Sequence, residues 1–137
     1  MKEPNNNPFL DSALTTILVV SDMEASKAFY GEVLGAELFR EYGGDSSVWS
    51  FLGNWILLVT PGGPTPDKPN THFVTPQNPD AVHQAFTLRV KDCQKSYEIL
   101  KGRGANFLTP PVVNGAETRA FFRDPDGHLF EISEYRA

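Results

Sequence analysis

The pattern of hydrophobic and polar positions along this chain occurs twice. Residues 14–39 (LTTILVVSDMEASKAFYGEVLGAELF) align with residues 85–107 (AFTLRVKDCQKSYEILKGRGANF). Each copy starts with β-branched and aliphatic residues, which favour a strand, and then changes to the spacing of an amphipathic helix. The first helix is predicted to start at a capping box formed by Ser21 and Glu24, and the second at Asp92. The repeat therefore predicts a strand followed by a helix in each half.

Strand candidates joined by a turn follow each predicted helix. In the first half, SVWSFL and WILLVT flank Gly53-Asn54, which is a two-residue hairpin signal. In the second half, TRAFFR and HLFEISEY flank the four residues DPDG at 124–127, which are typical of a turn. With one further strand expected between each helix and its hairpin, the inferred repeated unit is β-α-β-β-β.

These units predict an α+β fold in a single domain, 1–137. We expect two tandem βαβββ modules, at about 13–60 and 81–135, that form a cup-shaped, mostly antiparallel sheet with the helices on its outer face. The connector between them, 61–80, holds six prolines and shows no periodicity. It is longer than an ordinary connection, and it is either a spacer or a lid over the cup.

Composition argues against several classes of function. The net charge of −5 and the lack of a Lys/Arg cluster speak against binding to nucleic acid. The longest apolar run, Trp55 to Val59, is far shorter than the roughly 20 residues that span a bilayer. A single cysteine, Cys93, allows no internal disulfide and indicates a reducing compartment. We therefore expect a cytoplasmic protein without a nucleic-acid or membrane partner.

The duplicated unit, its opening LTTILVVSDMEASKAFYGEVLG and its ending FFRDPDGHLFEISE resemble the glyoxalase/bleomycin-resistance/extradiol-dioxygenase group, the vicinal oxygen chelate superfamily. In metal-using members, the first and last strands of each module carry the ligands. The resemblance places these positions at Thr15, Leu57, Ala85 and Glu131, of which only Glu131 is a competent ligand. A catalytic divalent ion needs about three protein ligands. The resemblance therefore implies a site without metal.

Two histidines could change this expectation. His83 lies two residues before Ala85 and shares its face of the strand, but it is displaced by roughly 7 Å, so a two-residue shift of register would be needed. His72 lies in the connector and could reach the cup only from a lid. A metal site built from Glu131, His83 and His72 is therefore an alternative.

Strand alternation predicts which side chains line the cup. Besides Glu131, the lining candidates are Thr15, Ser50, Trp55 and Leu57 in module one, and Thr87, Arg89 and Phe122 in module two. The four-residue DPDG turn is expected to set Phe122 beside Leu129. The predicted pocket is thus mostly apolar, with a few polar groups to orient a ligand.

Arg89 and Glu131 allow two interpretations. They could form a buried ion pair in which each neutralises the other. Alternatively, Arg89 binds an anionic group of a ligand, and Glu131 acts as a base or a hydrogen-bond acceptor. Glu117 and Arg119, near the rim of module two, are extra candidates, but their expected role is that of solvated charges at a strand edge.

We expect the protein to bind a small organic molecule in the cup without a metal or other cofactor, as the drug-sequestering branch of that superfamily does. The resemblance also implies a homodimer, because that branch commonly completes its pockets from two chains. Two alternatives remain open. One is a divalent-metal-dependent lyase, isomerase or dioxygenase. The other is metal-free catalysis with Glu131 as the base.

Overall fold

The computed structural model of the protein describes residues 6–136. Module one contains strands and a helix in the order β1 (Thr15–Val19), α1 (Met23–Ala28, continued by a π-helical segment, Phe29–Val33), β2 (Glu37–Tyr42), β3 (Ser46–Phe51) and β4 (Asn54–Val59). Module two contains β5 (Ala85–Arg89), α2 (Cys93–Gly102), β6 (Asn106–Phe107), β7 (Val112–Asn114), β8 (Glu117–Arg123) and β9 (Leu129–Tyr135). The predicted α+β fold with a repeated β-α-β-β-β unit is confirmed. Among the described residues, no helix is long and apolar enough to cross a bilayer.

Both helices start at an aspartate. The Asp92 carboxylate accepts a hydrogen bond from the backbone N–H of Lys95 at 3.0 Å, as predicted. In module one the N-cap is Asp22 instead of Ser21, since Asp22 accepts from the N–H of Ala25 at 3.1 Å. Ser21 binds elsewhere: its N–H and its hydroxyl both donate to Asp126, at 3.0 and 2.6 Å. The residue predicted to cap a helix therefore joins module one to module two.

Sheet one has the strand order β1-β4-β3-β2, with β1 parallel to β4. The hairpin between β3 and β4 turns at Leu52-Gly53, where both residues have positive φ, and it pairs Ser50 with Trp55. A two-residue turn at Gly53-Asn54, as predicted, would instead pair Ser50 with Leu57, so the predicted register is wrong by two residues. Because side chains alternate with a period of two, this error leaves every side chain on its predicted face.

Sheet two has the order β5-β9-β8, with β6 and β7 both paired to the remaining edge of β8. The short strands β6 and β7 together take the place of one strand. Pro110 and Pro111 lie between them, and proline has no N–H to donate to a sheet. This explains why the repeated unit is interrupted in module two only.

The turn between β8 and β9 changes one prediction. Arg123 pairs with Leu129, so five residues connect the strands, and the N–H of Asp124 bonds to the carbonyl of His128 at 3.0 Å. His128 therefore belongs to the turn and not to the strand. The predicted register is wrong by one residue, which turns Phe122 to the other face of the sheet. Phe122 pairs with Phe130 and is fully buried below the sheet, so its predicted place in the cup is wrong.

The helices lie between the two sheets, and both modules share one hydrophobic core. Aromatic rings of the π-helical segment, Phe29 and Tyr30, contact Phe130 of sheet two, with ring centroids 6.0 and 6.1 Å apart. From sheet one, Trp49 and Leu58 are buried on the helix side. Each sheet therefore has one face in the core and one open face.

The DPDG turn fastens module two to module one. Asp124, only 4% exposed, accepts hydrogen bonds from the Tyr30 hydroxyl at 2.9 Å and from the backbone N–H groups of Asp126 and His128 at 3.0 and 2.8 Å. Burial raises the pKa of the Tyr30 hydroxyl, so this hydroxyl stays protonated and donates. The His128 ring nitrogen Nε2 lies 2.8 Å from the Val19 carbonyl oxygen of β1.

Candidate functional site

The open face of sheet two carries most of the polar candidates. The parallel pairing of β5 with β9 sets Thr87 beside Glu131 and Arg89 beside Ser133. The antiparallel pairing of β8 with β9 sets Phe121 beside Glu131 and Arg119 beside Ser133. The structure thus brings together three of the predicted residues, Thr87, Arg89 and Glu131.

Glu131 is held by two neighbours. The Thr87 hydroxyl donates a hydrogen bond to Glu131 Oε1 at 2.8 Å, and Arg119 Nε lies 3.9 Å from Oε2. The residue is only 8% exposed. Among the described residues, the ion pair of Glu131 is with Arg119, so the first of the two interpretations, a pair between Glu131 and Arg89, does not match the structure. Buried carboxylates need such partners, because an unpaired charge in an apolar environment is costly.

Arg89 binds a second acid on the same face. Its Nη1 donates to the Ser133 hydroxyl at 3.0 Å and lies 3.9 Å from Oε2 of Glu117. The Ser133 hydroxyl in turn donates to the same carboxylate, and Arg119 Nη1 lies 3.3 Å from Glu117 Oε1. The Ser133 hydrogen bond, followed by the charge of Arg119, lowers the pKa of Glu117 below its ordinary value.

The expectation that Glu117 and Arg119 are solvated charges at a strand edge is wrong. Their side chains are 26% and 37% exposed, and both belong to the network around Glu131. Sequence spacing alone does not place them there, because a backbone hydrogen bond between Asp124 and His128 sets the length of the DPDG turn. Once His128 is counted as part of the turn, residues 117, 119 and 121 fall on the face of Glu131.

Aromatic rings flank both guanidinium groups. Arg89 lies over the Tyr135 ring at 5.6 Å, and Arg119 lies over the Phe121 ring at 5.9 Å. Such contacts help to fix a guanidinium group in place while leaving its N–H donors free for other partners. The open face of sheet two therefore presents two positioned cations beside apolar surface.

The open face of sheet one is apolar around Trp55 and Leu57, with a charged residue, Glu37 of the edge strand β2, beside Ser50. The register of β1, β4 and β3 puts Thr15 and Ser50 on either side of Trp55, with Leu57 two residues further along β4. The Trp55 ring contacts the Phe39 ring edge to face at 5.2 Å. Ile17 of the same face is 46% exposed. The four predicted residues of module one therefore form a second cluster, which offers a hydrophobic wall with two hydroxyl groups.

The side chains at the metal-ligand positions on these faces do not suit the coordination of a divalent ion. At the four ligand positions stand Thr15, Leu57, Ala85 and Glu131, and Glu131 is already engaged by Thr87 and Arg119. In the described part of the chain, no three His, Cys, Asp or Glu side chains are grouped to hold a metal. Glu131, His83 and His72 are thus not brought together.

His83 and His72 lie away from Glu131. His83 precedes β5 and lines a cavity of about 430 Å³ between the end of the connector and the DPDG turn. His72 is exposed in the connector. Cys93 is fully buried, and this burial raises the pKa of its thiol, so it suits packing better than nucleophilic attack.

The connector is folded against module two at its end. Arg123 donates to the Pro79 carbonyl at 2.8 Å and forms an ion pair with Asp80 at 3.6 Å. A cation earlier in the loop, Lys68, donates to the carbonyls of Gly63 and Thr71 at 2.6 and 3.2 Å. These contacts tie the connector into a defined loop beside the DPDG turn.

Comparison with known proteins identifies the family. The model of the Glyoxalase/Bleomycin resistance protein/Dioxygenase superfamily matches residues 12–132. The chain belongs to this superfamily. The resemblance noted from the repeated unit and the DPDG ending is therefore confirmed.

The similar proteins carry names that describe different activities, and one of them is uncharacterized. The uncharacterized protein YurT of Bacillus subtilis is 32% identical over 127 residues, which cover 87% of this chain and 95% of YurT. Glutathione transferase FosA of Serratia marcescens is 29% identical over 116 residues, which cover 84% of this chain and 74% of FosA. The solved structure of FosX from Listeria monocytogenes, a fosfomycin resistance protein with Mn(II), has a TM-score of 0.67 at 20% identity and covers 91% of this chain and 90% of its own.

Proposed function

We propose that this superfamily member binds a small organic molecule in a cup formed by the two open sheet faces, without a metal ion. The observation that carries the proposal is the donor set: a single carboxylate stands at the ligand positions, and it is held by a hydroxyl and a guanidinium group. Apolar surface with a few oriented polar groups is the usual composition of a small-molecule site.

We propose that two chains form each cup. In residues 6–136, the helices occupy the space between the two sheets of one chain, so the open faces of this part do not enclose a cavity by themselves. The face of sheet one is apolar around Trp55 and Leu57, whereas that of sheet two carries the charged network. Placing one against the other in a homodimer would bury the exposed apolar side chains and shield the network from water.

The fosfomycin-resistance and glyoxalase relatives indicate the kind of ligand to test first. Their names point to small polar substrates and to antibiotics, and the superfamily name adds bleomycin. We therefore select fosfomycin, bleomycin and glutathione as the first panel. A cytoplasmic protein that captures such a compound would lower its free concentration without changing it chemically.

Trp55 provides the test of binding. The chain has two tryptophans, of which Trp55 lies on the open face and Trp49 is buried on the helix side. A ligand in the cup is expected to quench the fluorescence of the wild-type protein in a saturable way, in the absence of metal. The variant Trp55→Phe, which keeps Trp49, should lose the response. A response that survives in Trp55→Phe, or a response only after a divalent ion is added, would contradict the proposed site.

Metal-free catalysis is the second candidate, and the geometry around Glu131 favours it specifically. Thr87 and Arg119 hold the carboxylate in one orientation at the open face, as a general base requires. Replacing Glu131 with Gln separates the two functions. Ligand binding measured by Trp55 fluorescence should then change by less than about tenfold, whereas any turnover should fall by about 100-fold or more. A catalytic rate that is unchanged in Glu131→Gln would exclude Glu131 as the base.

A further inference from the structure

The carboxylate of Glu117 lies between two guanidinium groups on the open face of sheet two. Its Oε1 is 3.3 Å from Arg119 Nη1, and its Oε2 is 3.9 Å from Arg89 Nη1. The Ser133 hydroxyl donates to Oε2 as well and also accepts from Arg89 at 3.0 Å. Two cations and a hydroxyl donor around one carboxylate are the arrangement that proteins use to bind an anionic group of a ligand.

The location of Glu117 at the start of a strand allows its side chain to move away from the two arginines. Glu117 is the first residue of β8 and follows a turn in which Gly115 has a φ of 64°. The side chains of this turn are exposed, so rotation about the side-chain bonds of Glu117 would bring its carboxylate into water. Glu131, by contrast, lies in the middle of β9 with a side chain that is only 10% exposed.

The two arginines are accessible to a ligand. The side chain of Arg89 is 57% exposed and that of Arg119 is 37% exposed. The aromatic rings of Tyr135 and Phe121 support them, so neither depends on Glu117 alone for its position. A guanidinium group keeps several N–H donors in a fixed plane, which suits a carboxylate or a phosphonate.

The balance of charge decides how an anion could enter. Arg89, Arg119, Glu117 and Glu131 sum to zero. An added anion would leave one unpaired negative charge if Glu117 stayed in place, and such a charge is costly in a cup shielded from water. If Glu117 turns outward, the anion takes over its partners and the four inner charges again sum to zero.

We propose that Glu117 holds the place of a ligand's anionic group between Arg89 and Arg119, and that the cup selects small organic anions with an apolar body. This inference rests on the proposed function, because it assigns the chemistry of the ligand that the cup would take. The apolar body would lie against Phe121, Tyr135 and the hydrophobic face of sheet one. Neutral compounds of the same shape would bind less well, since they leave Glu117 in place and gain no ion pair.

The test uses benzoate and phenylphosphonate as probes, with benzamide as the neutral analogue, in isothermal titration calorimetry on the whole protein. Replacing Glu117 with Gln keeps the size and hydrogen bonding of the side chain but removes the competing charge. We expect Glu117→Gln to bind both anions about tenfold more tightly than the wild type does, and benzamide unchanged. Arg89→Gln should lose at least about tenfold in affinity for the anions.

Glu98→Gln is the matched control, because it removes the same charge from an exposed position on α2. It should bind the probes as the wild type does. If Glu117→Gln binds the anions no more tightly than Glu98→Gln, the inference is wrong. If no variant binds either anion, the preference for anions is wrong as well, while the proposed function is still decided separately by the Trp55 response to the antibiotic panel.

Discussion

Replacing Asp124 with Ala is expected to lower the free energy of unfolding by about 3 kcal/mol or more. The carboxylate accepts from the Tyr30 hydroxyl at 2.9 Å and from two backbone N–H groups of its own turn. All three donors would be left without this partner in a region where Asp124 itself is 4% exposed. A buried donor that loses its partner costs about 1–3 kcal/mol. Urea unfolding followed by circular dichroism measures the loss.

Two further variants show whether the loss comes from the connection between the modules. Tyr30→Phe removes one of the three donors and should cost about 1 kcal/mol. Glu32→Ala, at an exposed acid of the π-helical segment, should leave the stability within about 0.5 kcal/mol of the wild type. A Tyr30→Phe protein that is as stable as the wild type would show that this hydrogen bond does not fasten module two to module one.

The repeated unit made most of the fold predictable. Strand and helix periods, the Asp before each helix and the turn residues all depend on local chemistry, and local chemistry can be read along the chain. The hairpin around Gly53 shows how robust this is, since an error of two residues in its pairing left Trp55 and Leu57 on the correct face. The arrangement of the two sheets was not predictable in this way, because it depends on which faces of the modules meet.

One residue in one turn accounts for the errors in the candidate site. The length of the DPDG turn depends on a backbone hydrogen bond between Asp124 and His128, which sequence spacing does not show. Counting His128 as a strand residue moved Phe122 into the cup and left Phe121 and Arg119 out of it. The interpretation that paired Glu131 with an arginine consequently named Arg89 and not Arg119. A period of two makes any odd error in a turn exchange the two faces of a strand.

Introducing histidines at two of the metal-ligand positions should create a metal site. In the proposed dimer, the double variant Thr15→His and Ala85→His places two imidazoles with Glu131 at the ligand positions of the superfamily. Three protein ligands suffice for a divalent ion with open positions. We expect the affinity for Zn²⁺, measured by competition with a chromophoric chelator, to rise by at least about 1,000-fold over the wild type.

Neighbouring positions provide the control for this variant. Thr16 directly follows Thr15, and Gln84 directly precedes Ala85. Histidines at these two positions therefore point away from the cup. Thr16→His with Gln84→His should gain little affinity. A wild-type protein that binds Zn²⁺ as tightly as Thr15→His with Ala85→His would mean that the chain already has a competent site. Equal gains in the two double variants would mean that the ligand positions are assigned to the wrong face.

Native mass spectrometry of the freshly purified wild-type protein tests the metal-free cup most directly, because it reports bound metal, copurified ligand and subunit number in one spectrum. We predict the mass of two 15.2 kDa chains with no stoichiometric divalent ion, either alone or with an organic molecule of low mass. One divalent ion per chain that disappears in Glu131→Gln would contradict the proposal and identify a metal-dependent enzyme.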